Sequence, residues 1–351
     1  MANIAFFDLK QWEKDYVKTL LPQHKLLFVD EHLTEKNVSK AADCDVLAVF
    51  IYSPITPAIL KKLPKAKLIT TMSTGFDHID LGACKEREIV VCNVPAYGEN
   101  TVAEHVFALL LAISKNLVTA IERTRRGNFS LDGLLGFDLK GKTLGLIGTG
   151  KIGSHVIKMA KGFDMHVIAF DPKPNTELAH LLGFEYAKNV DELLAKSDVI
   201  TLHAPLTEQT KYLINSKNIG KIKKGAVLIN TARGPLVQTE ALLEALKKGI
   251  IKYAGLDVLE EECFIKEERE LLTEAFQKKC DLRTALAEHM LMGMDNVLIT
   301  PHSAWYSKEA LERIMQTTVE NMQSFLKGAP TNKVGNNNDQ GKTEKKKGKR
   351  T

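Results

Sequence analysis

The sequence has no Cys-x-x-Cys pair, no His-Glu-x-x-His and no internal repeat of fixed period. Its five cysteines, Cys44, Cys84, Cys92, Cys263 and Cys280, are scattered and odd in number. That argues against a zinc site or a disulfide framework and for reduced, mostly buried thiols. Without the His pair there is no zincin-type site, so no metal is expected. No apolar run reaches the roughly 18 residues of a membrane span. The longest, 106–113, is flanked by His105 and Lys115 and reads as a buried helix. The first residues lack a basic stretch, and Asp8 arrives too early for a secretory leader, so a cytoplasmic protein is expected. The body of the chain also lacks net charge. Residues 331–351 hold seven Lys and Arg against Asp339 and Glu344, which accounts for the whole formal charge of +5. A basic groove for nucleic acid is therefore not expected on the folded part. The tail after Gly328 is rich in Asn, Lys and Gly and is expected to be disordered.

What is present is a globular composition, with 44% hydrophobic and 26% charged residues, over a length that suits two domains. The first third alternates short apolar runs (4–8, 26–30, 45–51, 68–72, 89–93) with amphipathic stretches such as 11–21 and 57–63. A second series begins at Lys142, with runs at 143–147, 166–171, 198–203, 226–230, 253–257 and 296–300, separated by helical stretches such as 151–161 and 239–248. These runs are rich in Val, Ile and Leu and do not alternate strictly, as expected of parallel strands covered on both faces. The expected fold is α/β: two doubly wound parallel-sheet domains, a flavodoxin-like one and a Rossmann one, with a cleft between. Long helices at 101–115 and 307–327 join the halves, the second returning the chain to the first domain. The expected division is 1–100 with 301–330, then 101–300, then a basic tail at 331–351.

Gly148-Thr149-Gly150-Lys151-Ile152-Gly153 is a Gly-x-Gly-x-x-Gly pattern. The pattern alone is weak, but here it follows an apolar strand and opens a helix. A second strand then ends at Asp171, 18 residues after Gly153. That context makes a dinucleotide fingerprint. Gly148 permits the tight turn, Gly150 lets backbone approach a pyrophosphate, and Gly153 lets the helix pack close to the strand. The helix N-terminus offers N–H groups to phosphate. The Asp171 carboxylate suits ribose hydroxyls and repels a 2′-phosphate, favouring NAD over NADP.

Ligands of open α/β sheets sit outside the carboxyl ends of the strands. Three of those ends carry reactive groups: Arg233 after 226–230, Glu260, Glu261 and Glu262 after 253–257, and His302 after 296–300. Hydride transfer on a 2-hydroxy acid needs a fork for the carboxylate, which guanidinium provides. It needs an acid/base that titrates near neutrality, and a carboxylate to orient it. Residue type alone leaves open which Glu of the three faces inward. His302 is also compatible with a plain helix cap. His203 ends a strand and is read as lining the adenosine side of the nucleotide groove, whereas His105, in the apolar helix, is read as structural. The turn at Ser73, Thr74 and Gly75 can aim backbone N–H groups at an anion such as a substrate carboxylate.

With these pieces assembled, the chain resembles the D-2-hydroxy-acid dehydrogenases over nearly all of residues 1–330, and most of all their lactate branch. The most specific matches are 73–80, 93–97, 148–153, 230–234, 255–258 and 300–305. The resemblance implies that Arg233, Glu262 and His302 are catalytic, Glu262 being five residues past the Asp of Leu-Asp-Val. It implies NAD contacts at Lys151, Ile152, Asp171, Ala204, Pro205, Thr210, Thr231, Ala232, Arg233 and Asp257. It implies a small substrate pocket lined by Tyr52, Tyr97 and Trp305, and a homodimer through the nucleotide domain around helix 101–115. The implied reaction is D-lactate to pyruvate; a bulkier 2-hydroxy acid, glycerate, or an NAD-sensing corepressor are the alternatives. Met72 stands where similar proteins often carry Arg. The long, helix-patterned link 266–292 favours the lactate branch, and the basic tail lies outside the family pattern.

Overall fold

The computed structural model describes residues 1–260 and 281–335. These divide into two compact units, residues 1–97 with the chain from 307 onward, and 98–306.

The first unit is built on a five-stranded parallel sheet of β1 (Asn3–Phe7), β2 (Lys25–Val29), β3 (Val46–Val49), β4 (Leu68–Thr71) and β5 (Val90–Cys92), in the order β2-β1-β3-β4-β5. Every residue of β3 and β4 is buried, so the run of apolar residues reflects cover on both faces rather than on one. Ala5, Phe7, Leu47, Val49, Ile69 and Val91 share one core with the helices Pro57–Lys61 and Leu81–Glu86. Thr56 and Asp80 cap those two helices through their side chains, each cap contributing about 1 kcal/mol. The helix Lys308–Leu326 belongs to this unit. Its buried Asn321 donates to Asn93 O at 2.8 Å and lies 3.4 Å from the Thr70 hydroxyl on β4.

The second unit is a seven-stranded parallel sheet: β6 (Thr143–Ile147), β7 (His166–Phe170), β8 (Glu185–Tyr186), β9 (Val199–Leu202), β10 (Ala226–Asn230), β11 (Ile251–Leu256) and β12 (Val297–Ile299). The order is β12-β11-β10-β9-β6-β7-β8. Successive residues of one strand enter different cores. Leu228 packs on the side of helices Val190–Lys196 and Thr239–Lys247, while Val227 and Ile229 pack on the side of Glu99–Ser114 and Lys151–Gly162. Gly255 is what lets Glu99–Ser114 lie close over β11, since a Cβ there would come within 2.8 Å of Ile229 and 3.2 Å of Leu109. Of the helical link expected at 266–292, Leu282–Met292 is a helix, and the part before residue 281 lies outside the described residues.

Three expectations are corrected. Residues 301–306 belong to the second unit and not the first, because the Asp257 carboxylate accepts the backbone N–H groups of Ser303 and Ala304, both at 2.9 Å. Residues 98–100 also fall in the second unit, since its long helix starts at Glu99. Residues 331–335 of the tail, expected to be disordered, are placed against the first sheet. β5 is the last strand of its sheet, and residues 332–334 pair with its outer side: Asn93 N donates to Asn332 O at 3.1 Å and Val334 N to Val91 O at 2.9 Å.

Candidate active site

The register of the seven-stranded sheet sets the site. Ile147 pairs with Leu202, Leu202 with Asn230, Asn230 with Leu256, and Leu256 with Ile299. The next residues, Gly148, His203, Thr231, Asp257 and Thr300, therefore emerge in one row along the carboxyl edge. The strand order reverses between β6 and β9, so Gly148 and His203 flank the switch point.

Each glycine of the fingerprint has its own cause. Gly148 has φ +98°, and a Cβ there would meet the His203 carbonyl at 2.7 Å. A Cβ on Gly153 would strike Gly148 O at 2.1 Å, so the helix Lys151–Gly162 can sit on its strand only with Gly there. Gly150 faces open space, with nothing within 4 Å of its missing Cβ. The N–H groups of Lys151, Ile152 and Gly153 open the helix, where no intrahelical acceptor exists. The Lys151 ammonium lies 3.4 Å from Glu99.

Asp171 follows β7. One carboxylate oxygen accepts Thr149 N at 2.9 Å and the Thr149 hydroxyl at 3.1 Å; the other accepts Lys173 N at 2.9 Å. Asp171 thus fastens the glycine turn to the end of β7. The Thr149 hydroxyl also meets Tyr186 of β8 at 2.9 Å. Neither Tyr186 nor its strand was read from the sequence, because two residues are too few to show a period. His203 faces Thr201 at 2.9 Å, and burial pushes its imidazole down to about 3. Ala204 and Pro205 begin the loop after β9. The Thr210 hydroxyl braces that loop by donating to Pro205 O at 2.6 Å.

After β10, Asn230 folds back on its own loop: its amide donates to Arg233 O at 2.9 Å and accepts Ala232 N at 3.1 Å. Gly234 presses against the backbone after β11, where a Cβ would come within 1.8 Å of Leu259 O. Arg233 is held between these fixed points, half-buried, its guanidinium donating to Ala232 O at 2.7 Å. The Thr231 hydroxyl is buried with no hydrogen-bond partner among the described residues.

His302 is not a helix cap. The next helix starts at Lys308 and is capped by Ser307, whose hydroxyl accepts Ala310 N at 3.1 Å. His302 instead sits at φ +52°, its N–H on Thr300 O at 2.9 Å and its carbonyl accepting the Trp305 indole N–H at 2.9 Å. Asp257, read as a cofactor contact, is fully buried, and its carboxylate anchors this loop. Of the three glutamates, Glu260 is committed elsewhere. It accepts the Tyr212 hydroxyl, Thr239 N at 3.1 Å and the Thr239 hydroxyl at 2.7 Å. Glu261 and Glu262 lie outside the described residues.

In the first unit, Tyr52 and Ser73 lie just past β3 and β4. Tyr52 is 48% exposed, its ring 5.7 Å from that of His32, which meets Asp8 at 3.1 Å. The turn at Ser73, Thr74 and Gly75 is locked by its own side chains. The Ser73 hydroxyl donates to Gly75 O and meets the Thr71 hydroxyl, both at 2.6 Å. The Thr71 hydroxyl lies 3.2 Å from His78, whose imidazole is pushed down by burial. Thr74 donates to Val94 O at 2.8 Å. With the side chains spent on the turn, its backbone N–H groups are the part left to receive an anion. Met72 is buried, and the Tyr97 carbonyl accepts Arg313 Nε at 2.6 Å.

Residues 107–304 match the family model described as D-isomer specific 2-hydroxyacid dehydrogenase, NAD binding domain. Over 330 residues the chain is 38% identical to D-lactate dehydrogenase of Escherichia coli, covering 93% of this chain and 97% of that one. The chain belongs to the D-isomer-specific 2-hydroxyacid dehydrogenases. Two solved structures agree. The pyruvate reductase of Chlamydomonas reinhardtii superposes with a TM-score of 0.85 at 36% identity, over 94% of this chain and 98% of that one. D-lactate dehydrogenase of Aquifex aeolicus, complexed with NAD and lactic acid, gives 0.79 at 37% identity, over 93% and 96%.

As a member of this family the protein is an oxidoreductase acting on 2-hydroxy or 2-keto acids, and its cofactor is NAD. The residues present fit that cofactor. Gly150 leaves room over the helix N-terminus, and the Thr231 hydroxyl on the same edge, buried without a partner among the described residues, suits a polar group of the cofactor. No single helix among the described residues is long and apolar enough to cross a membrane.

Proposed function

We propose that the protein is a D-lactate dehydrogenase, interconverting D-lactate and pyruvate. The observation that carries the reading is the row on the carboxyl edge: adjacent strands β10, β11 and β12 hold Arg233 and His302 on loops fixed by Asn230 and Asp257. Fixed guanidinium and imidazole groups beside a nucleotide fold are the parts a 2-hydroxy acid requires. Arg233 grips the substrate carboxylate with two parallel hydrogen bonds. The turn at Ser73, Thr74 and Gly75 supplies further N–H groups to the same class of anion. His302 removes the proton from the C2 hydroxyl and, in the reverse direction, delivers it to the keto oxygen. Glu262 is the carboxylate companion that keeps the imidazole oriented. NAD, when bound, supplies the hydride acceptor. Lys151, Ile152, Asp171, His203, Ala204, Pro205, Thr210, Thr231 and Ala232 hold it. Trp305, whose indole binds the His302 carbonyl, keeps the acid's side chain small. The identity to the Escherichia coli enzyme along almost its full length supports lactate over longer acids.

The same reading includes cytoplasmic residence and a homodimer. The helix Glu99–Ser114 is largely buried within its own unit. We therefore place the subunit contact on the segment just beyond that helix, where Leu117, Val118, Ile121, Phe129, Leu131 and Leu135 are exposed, the last at 91%.

Oxidation of NADH with pyruvate, followed by chiral analysis of the lactate formed, tests the activity. Longer 2-keto acids and hydroxypyruvate are run beside it. His302→Ala should lower kcat by roughly 10²–10⁴-fold with NADH binding retained, and Arg233→Lys should chiefly raise KM for pyruvate. An undiminished kcat in the His302 variant removes the mechanism.

A further inference from the structure

We propose that His105 is a positioning residue for His302, acting through Thr300 and the buried carboxylate of Asp257. The inference rests on the reading of His302 as the acid/base and adds to it a residue whose sequence context suggests only a structural role.

Counting hydrogens fixes the direction of each bond. Thr300 has one hydroxyl proton, and its oxygen lies 2.5 Å from Asp257 Oδ1. A carboxylate accepts, so the proton points at Asp257. The Thr300 oxygen is then an acceptor, and His105 Nε2, 3.0 Å away, is the donor. The same Nε2 is 3.5 Å from Asp257 Oδ1. The order of donation is thus His105 to Thr300 to Asp257.

Asp257 needs every one of these donors. Its side chain is almost wholly buried, and a buried carboxylate without partners is strongly destabilising. Besides Thr300, Oδ1 accepts Ser303 N at 2.9 Å and Oδ2 accepts Ala304 N at 2.9 Å. Those two N–H groups are the next ones along the chain from His302. His302 itself is in the left-handed region at φ +52°, a conformation a residue with a side chain keeps only when its surroundings impose it. Asp257 imposes it through those two N–H groups, and the Trp305 indole by binding His302 O.

His105 reaches this point because the helix Glu99–Ser114 lies close on β11 over Gly255. It is 21% exposed at the side chain, on a helix otherwise packed into the core through Val102, Val106, Leu109 and Leu110. An apolar residue would fill that place equally well if packing were its only task. The imidazole instead keeps the Thr300 hydroxyl aimed at Asp257, and so keeps the His302 loop in one arrangement. Asp257 serves the loop with both oxygens, so the route from helix to loop does not depend on bound NAD.

The test compares Leu and Gln at 105 and Val and Ser at 300 in the full chain. His105→Gln retains an amide N–H near the Nε2 position, and His105→Leu does not; Thr300→Ser retains the hydroxyl, and Thr300→Val does not. Steady-state kcat and KM are measured with NADH and the preferred 2-keto acid, and the NADH dissociation constant by fluorescence. His105→Leu and Thr300→Val should lose kcat by about tenfold or more, with the NADH constant within about threefold, while Gln and Ser stay within about threefold of wild type. If His105→Leu does not fold, the Thr300 pair decides alone. Unchanged kcat in the Leu and Val variants overturns the proposal. So does equal loss in the conservative partners, or a loss confined to NADH affinity. Failure of the parent reading looks different: wild type would then oxidise no NADH with any 2-keto acid, and His302→Ala would change nothing.

Discussion

At the scale of single residues, burial and donor count decide what each side chain can do. Glu260, one of three glutamates that residue type leaves open, and Asp257, read as a cofactor contact, both follow strand β11, and each carboxylate fixes a loop. His203 shows the opposite pattern, a titratable group made silent. Its imidazole is depressed from 6.5 to about 3 because burial disfavours the charged form. Below pH 6.5 the unfolded chain takes up a proton that the folded chain refuses. Stability therefore falls as the pH drops through that window, by on the order of 1.4 kcal/mol per unit. Above 6.5 both states are neutral there and the effect vanishes. Urea midpoints for wild type and His203→Gln, compared between about pH 7.5 and about pH 5, should show the steeper acid loss in wild type. Parallel curves would mean that His203 is protonated in the fold.

At the scale of elements, most of the architecture was legible. β6 and β10 fall at the residues expected from their apolar runs, since cover on both faces leaves polar residues only at their ends. The glycine turn was legible for the same local reason: each glycine answers a separate steric demand. β8 was not legible, because two residues carry no period. The role of His105 was not legible because its partners lie about 150 and 195 positions away, at Asp257 and Thr300. The pairing of residues 332–334 was also hidden, since polar composition argues for disorder and only the neighbouring bare edge argues against it. That pairing separates two truncations. Ending the chain after Gly335 should leave Tm and kcat unchanged, because everything paired with β5 is retained. Ending it after Ala329 strips the edge and should lower Tm by several degrees and promote aggregation. Equal melting curves for the two would mean that the strap contributes nothing.

At the scale of the whole molecule, the exposed apolar side chains of residues 117–135 exceed what isolated surface residues need. Light scattering should give twice the chain mass, and Phe129→Glu with Leu135→Glu should shift it toward one chain mass without abolishing NADH binding. A monomer at all concentrations in wild type would remove the assembly from the proposal. NAD binding should raise Tm in proportion to the logarithm of its concentration above the dissociation constant, with Gly150→Val abolishing that rise because the side chain fills the space over the helix N-terminus.

The discontinuity of the first unit sets a timetable for synthesis. Its β4 awaits Asn321, and its edge β5 awaits residues 332–334, so this half stays incomplete until residue 334 has been made. The unit from 98 to 306 has by then left the ribosome whole. The protein therefore matures from the inside outward, its later-begun half closing first. Released chains ending at residue 306 should resist protease at 98–260 and 281–306 and be cut within the opening hundred residues, a pattern that full-length chains lose.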